Sequence, residues 1–165
     1  MAKELQNSML MFTHSKIEID AGVAEQVVQH FRQLDQCIAS PYGTWHSQHM
    51  SHNPFPWFQS TYDRVASAIG DLRIDGWWFN CGRAGDGCRQ HTHEPFPWAA
   101  VLYVQVPENS GGIEFCRQGE YTVFQPTTGD FILSPGSVAH RVLPSLSTDP
   151  RISVAFNLAK YNKTD

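Results

Sequence analysis

Three histidines carry the clearest chemical signal in this chain: His91 and His93, separated by one residue, and His140 farther along. Residues i and i+2 of an extended segment project to one side, so His91 and His93 can grip one ion while Glu94 points away. A pair that includes Glu94 is the alternative, and the spacing favours His93. Imidazole nitrogens suit iron, zinc, copper or nickel, and three protein ligands on one face leave positions open for substrate and oxygen. Ligation needs neutral rings, so metal occupancy is expected to fall below about pH 6, near the unperturbed histidine pKa.

Arg151 and Ser153 follow His140 on what reads as the last strand. A guanidinium holds a carboxylate through two parallel hydrogen bonds and keeps its charge, which a lysine does not do as well. Buried, it needs an anionic guest or a carboxylate neighbour. Tyr103 and Asn80 are candidate hydrogen-bond donors to the same guest, and Trp78 is a candidate wall of the substrate pocket. A second group, His46, His49 and His52, sits between Pro41 and Pro54. It reads as a polar loop, with a separate metal site or the entrance to the first as alternatives.

The elements that must position these groups are legible from periodicity. Val23, Val27, Phe31, Leu34 and Ile38 form one apolar helical face over residues 20–38, with Asp20 as N-cap. Phe58, Tyr62, Val65 and Ile69 form another, stopped by Gly70. Residues 40–57, rich in proline and histidine, read as an ordered loop and a possible lid. Beyond Gly70, short runs of β-branched and aromatic residues predict strands at 72–80, 98–106, 112–116, 121–124, 130–134, 138–143 and 151–159. Connections this short imply antiparallel pairing, hence a mainly β jelly roll with the two N-terminal helices packed on the outer face of one sheet. On the last strand Ile152, Val154, Phe156 and Leu158 face the core, while Arg151, Ser153, Ala155 and Asn157 face a cavity. By the same alternation Ala99, Val101, Tyr103 and Gln105 share a face, as do Gly76, Trp78 and Asn80. The echo of His52-Asn53-Pro54-Phe55-Pro56-Trp57 in His93-Glu94-Pro95-Phe96-Pro97-Trp98 is too isolated to define a repeat.

With 165 residues, 41% of them hydrophobic, the chain suits one domain with a real core. Residues 15–70 are expected to form a helical and loop cover, and 71–160 the catalytic core. Twelve basic against sixteen acidic residues leave a net charge of −4 and no positive field to attract nucleic acid. The longest apolar run, Trp98–Val104, is far short of the ~20 residues that span a bilayer. A secretory leader is not apparent, and Cys37, Cys81, Cys88 and Cys116 show no paired spacing, so a cytoplasmic protein with reduced thiols is expected.

From about residue 73 to 160 the chain resembles the 2-oxoglutarate- and Fe(II)-dependent oxygenases, and within them a bacterial and phage group of small proteins. The residues that carry the resemblance are Trp78-Phe79-Asn80, His91-Thr92-His93, Ala99-Ala100-Val101-Leu102-Tyr103, Pro107, Gly129-Asp130, Ser134-Pro135, His140 and Arg151 through Asn157. It implies a double-stranded β-helix, iron held by His91, His93 and His140, and 2-oxoglutarate whose far carboxylate is bound by Arg151 and Ser153. It implies consumption of oxygen, release of succinate, and oxidation, most commonly hydroxylation, of a small-molecule or peptide substrate. His93 departs from the superfamily's usual carboxylate at that position, and a three-histidine site leaves the ion its full charge. Ala99 stands where the group usually has serine, so one polar contact is expected to be missing. Two other readings compete. One is a cupin-like metal dioxygenase or isomerase, in which Arg151 holds the substrate's own carboxylate. The other is a jelly-roll binding module that stacks a flat ligand on Trp45, Trp57, Trp77, Trp78 and Trp98.

Overall fold

A computed structural model describes residues 11–33, 38–39 and 45–161. Two antiparallel sheets dominate it. In chain order the strands are β1 (Thr13–Lys16), β2 (Ile38–Ala39), β3 (Trp45–His46), β4 (Leu72–Gly82), β5 (Cys88–His91), β6 (Trp98–Gln105) and β7 (Ile113–Arg117). β8 (Glu120–Phe124), β9 (Asp130–Pro135), β10 (Ala139–Val142) and β11 (Arg151–Lys160) complete the set. The helices are α1 (Val23–Gln33) and α2 (Gln59–Ala68), the latter entered through a 3₁₀ turn at Pro56–Phe58. One sheet has seven strands in the order β1-β9-β6-β11-β4-β3-β2, the other four in the order β5-β10-β7-β8.

Period-two alternation in β11 sets the architecture. Ile152, Val154, Phe156 and Leu158 are fully buried and share one apolar cluster with Trp77 and Phe79 of β4 and with Ala100, Leu102 and Val104 of β6. The same cluster takes in Val23, Val27 and Phe31 from α1 and Phe58, Val65 and Ile69 from the α2 region. Each fully buried Val, Leu, Ile or Phe among them contributes about 1.5–3 kcal/mol over leaving it exposed. Alternate residues of the same strands, Trp78 and Asn80, Ala99, Val101 and Tyr103, Ser153, Ala155 and Asn157, line a cavity instead. Gly76 and Gln105 do not join them: a side chain at Gly76 would meet the Met50 carbonyl, and Gln105 donates to Pro150 O at 2.8 Å.

Several expectations shift. The first helix is described through Gln33 and Ile38 belongs to β2, while Leu34 lies outside the described residues. Asp20 does not spend its carboxylate on its own helix. It accepts from Thr61 Oγ1 at 3.1 Å and Arg64 Nη1 at 2.8 Å, tying the entry of α1 to α2. The stretch read as a loop or lid is partly sheet: His46 pairs with Asn80, and Met50 bridges Trp77. Residues 40–44 lie outside the described residues. β1 and β5 carry no apolar alternation and were not anticipated; β1 is exposed along its whole length. It is held to β9 by Asp130, whose carboxylate takes Lys16 Nζ at 2.6 Å and His14 Nε2 at 2.8 Å. No helix is long and apolar enough to cross a membrane among the described residues.

Candidate active site

The cavity lies between the two sheets, with a volume of about 420 Å³, lined by β4, β6, β9 and β11 on one side and β5, β7 and β10 on the other. His91 ends β5, and its direct cross-strand partner on β10 is His140. His93 follows β5 in a turn, where its backbone N–H donates to Gly136 O at 2.8 Å. Gly136 N–H in turn donates to Pro97 O at 3.0 Å. This clasp needs glycine for space: a Cβ at 136 would sit 1.9 Å from Phe96 O.

The result is one cluster in which a ligand atom from each of His91, His93 and His140 lies within 4.8 Å of the others. It is the three-histidine set that the spacing favoured; Glu94 is exposed at the cavity rim and outside the cluster. The donor set fits a divalent ion. His140 is 8% exposed, and burial, reinforced by the neighbouring His91 and His93, pushes its pKa down to about 3. Burial also lowers His93, with opposition from its hydrogen bond to Asn157 and reinforcement from His91 and His49. Burial thus favours the neutral, ligating form of His140 and His93, and at these two rings protons compete with the ion at lower pH than the unperturbed histidine value suggests.

Behind the histidines, Nδ1 of each ring faces an oxygen. His91 donates to Arg89 O at 2.8 Å, His140 to Val138 O at 3.3 Å, and His93 to Asn157 Oδ1 at 2.7 Å. Cys88 Sγ lies 3.6 Å from His91 Nδ1, and burial raises this thiol to about 11, countered by Arg151.

Arg151 lines the same cavity, only 5% exposed. Its Nη1 donates to the carbonyls of Ser110 and, at 3.3 Å, Gly111. That peptide turn is tight, since a side chain at Gly111 would strike the Leu143 carbonyl. Among the described residues no carboxylate forms an ion pair with this guanidinium. Burial lowers its pKa, opposed by Tyr103, Cys88 and Asp86. Ser153 and Asn80 stand beside it, 3.5 Å apart, and the buried Tyr103 phenol, raised by desolvation, completes the polar end. Beside Ala99, buried Ser134 is the direct partner in the ladder and lines the same cavity.

At the cavity wall the rings lie nearly parallel in series. His49 stacks on Trp78 (4.2 Å, 15°), Trp78 on His93 (6.0 Å, 20°), and His93 on His140 (5.2 Å, 11°). His46 and His49 thus belong to the cavity, whereas His52 is exposed and lends only its carbonyl, to Trp77 Nε1. Asn157 is the site residue whose role sequence reasoning missed. It was placed on the cavity face, and nothing local to it signals a histidine 64 positions away.

Residues 114–157 match the family described as "Putative 2OG-Fe(II) oxygenase". That segment holds His140, Arg151, Ser153 and Asn157; His91 and His93 lie before it. No curated protein matches the chain. Among solved structures, a Pseudomonas putida prolyl-4-hydroxylase is similar over 98% of both chains, at TM-score 0.69 and 17% identity. HygX from Streptomyces hygroscopicus, with nickel and 2-oxoglutarate bound, matches over 96% of this chain and 86% of its own, at TM-score 0.71 and 13% identity. A prolyl hydroxylase from Trichoplax adhaerens, in complex with a hypoxia inducible factor peptide fragment, covers 94% and 86%, at TM-score 0.69 and 13% identity. Identities this low establish the jelly-roll fold alone. The family match over residues 114–157, together with the three-histidine cluster, supports a 2-oxoglutarate- and Fe(II)-dependent oxygenase, a class that uses Fe(II), 2-oxoglutarate and O2.

Proposed function

We propose that His91, His93 and His140 bind Fe(II) through their Nε2 atoms, and that Arg151 and Ser153 bind the far carboxylate of 2-oxoglutarate, with Asn80 and Tyr103 donating to the same cosubstrate. The observation that carries this reading is the pairing, in one cavity, of a three-imidazole cluster with a buried guanidinium that has no carboxylate partner among the described residues. A buried charge of this kind is stable when an anion completes it. Bound iron supplies oxygen activation: 2-oxoglutarate and O2 yield succinate and CO2, and the second oxygen atom enters a substrate C–H bond as hydroxyl.

The chain's own part is placement and exclusion of water. Arg151, itself oriented by the Ser110 and Gly111 carbonyls, fixes the cosubstrate at one end, so its other end meets the histidines in a single pose. Trp78, backed by His49, walls the remaining space for a small molecule or a peptide segment. The two helices cover the outer face of the seven-stranded sheet and leave its inner face for chemistry. In this reading residues 1–165 are one domain, with 15–70 as cover and 71–160 as core. Cys88 and Cys116 form no disulfide among the described residues, in keeping with a cytoplasmic setting.

The test is anaerobic titration. Fe(II)-loaded protein with 2-oxoglutarate should develop a weak visible charge-transfer band, and Arg151→Ala should require about 100-fold more cosubstrate to reach it, as expected when one partner of a buried charge-assisted contact is removed. A cupin-like enzyme that uses no 2-oxoglutarate, or a binding module with incidental histidines, gives no band at any concentration, and that outcome would reject the proposal.

A further inference from the structure

The three imidazoles are held from behind in two different ways. His91 and His140 each donate Nδ1–H to a carbonyl two residues earlier in the chain, Arg89 O and Val138 O. A backbone carbonyl can only accept, so it selects the Nδ1-protonated ring and leaves a lone pair on Nε2. His93 stands past the end of β5, in a turn, and its Nδ1 is met at 2.7 Å by a side chain from a distant strand, Asn157 Oδ1.

Resting on the reading of His93 as an iron ligand, we infer that Asn157 is a positioning residue that selects the Nδ1-protonated form of His93 and fixes its ring plane, so that Nε2 faces the ion. The amide makes this choice binary. With Oδ1 toward the ring, Nε2 is free to ligate; turned over, Nδ2 would donate into Nδ1, place the ring proton on Nε2 and block ligation. A carboxylate at position 93 would need no such selection, since it has no tautomer. A histidine does, and Asn157 sits on the cavity face of β11, in line with Arg151 and Ser153, where it joins the metal end of the site to the cosubstrate end on one rigid strand.

The inference is tested on metal-free protein titrated with Co(II), read from its visible d–d absorption, so that no turnover is required. Asn157→Leu should weaken Co(II) binding about 10–100-fold, the usual effect of removing a partner behind a ligating histidine. Asn157→Asp, which can only accept, should restore affinity to within about threefold of the starting protein by the same argument. Equal Co(II) affinity in Asn157→Leu, or no recovery in Asn157→Asp, would overturn the inference. Should Asn157→Leu fail to fold, long-range ¹H–¹⁵N spectra of the unaltered metal-free protein decide the point. Nδ1–H at His93 upholds it and Nε2–H overturns it. Failure of the unaltered protein to bind Co(II) would instead strike the proposed function itself, which keeps the two failures distinguishable.

Discussion

The chain carries two histidine groups of similar promise, and the fold treats them in opposite ways. His91, His93 and His140 converge from a strand end, a turn and a neighbouring strand, each with Nδ1 turned to an oxygen behind it. His46 and His49 also come together, with ring centroids 5.7 Å apart on the cavity wall, but His52 does not join them. His46 donates to Ser47 O at 2.8 Å, His49 lies flat on Trp78, and His52 is exposed. The difference teaches that spacing supplies candidates, whereas a ligand needs a hydrogen-bond acceptor on one nitrogen and two like neighbours facing the other. One group becomes the centre of the cavity, the other part of its wall.

The contrast can be broken at several points. The largest effect is expected from His140→Ala, which should lower Co(II) affinity by more than about 100-fold, beyond the loss of a partner behind a ligand. Equilibrium dialysis measures this, and retained affinity would move the centre elsewhere. Gly136→Ala comes next. Its Cβ would collide with Phe96 O and push the His93 turn from the β10 side, so metal affinity should fall together with thermal stability, the latter by about 1–3 kcal/mol. A normal melt with normal metal affinity would show that the clasp is not needed.

A smaller effect belongs to a region away from the cavity. Burial alone would raise the pKa of Asp130, but hydrogen bonds from Lys16, the Thr127 N–H and His14, with the Lys16 charge, lower it to about 2, against 3.8 for the unperturbed group. A lowered carboxylate pKa stabilises the fold above the unfolded value, and this stability is lost as pH falls from about 4 to 2. Allowing for the exposure of Lys16, the loss is about 1–2 kcal/mol. Chemical denaturation at stepped pH should show it, and Asp130→Asn should flatten that step while Co(II) affinity at neutral pH stays constant. The smallest expected change is in His49→Ala, whose Co(II) affinity should stay within about threefold of the parent, well short of the change caused by losing a partner behind a ligand. A larger fall would place His49 among the groups that hold the ion.

Much of the frame was legible because burial imprints alternation. Seven strands from 72 to 159 appear within a residue or two of their expected bounds, and the core face of β11 is the apolar one. β1 and β5 were hidden because their side chains are largely polar, and β3 because it is two residues long; their ladders are satisfied by partners that composition does not reveal. The two Pro-Phe-Pro-Trp segments make the same point. Pro54–Trp57 leads into the 3₁₀ turn before α2, while Pro95–Trp98 leads into β6. Identical residues adopt different courses because different neighbours receive them.

What the order of residues determined by itself was chemical identity, three imidazoles, a guanidinium and a hydroxyl, and for Arg151 and Ser153 the strand parity that points them inward. Convergence was a matter for the tertiary structure. The register that sets His140 opposite His91, the glycine clasp that brings in His93, and the amide of Asn157 that orients it are contacts between segments remote in the chain. Local periodicity carries no record of such contacts, because they arise only once two sheets have closed on a common interior.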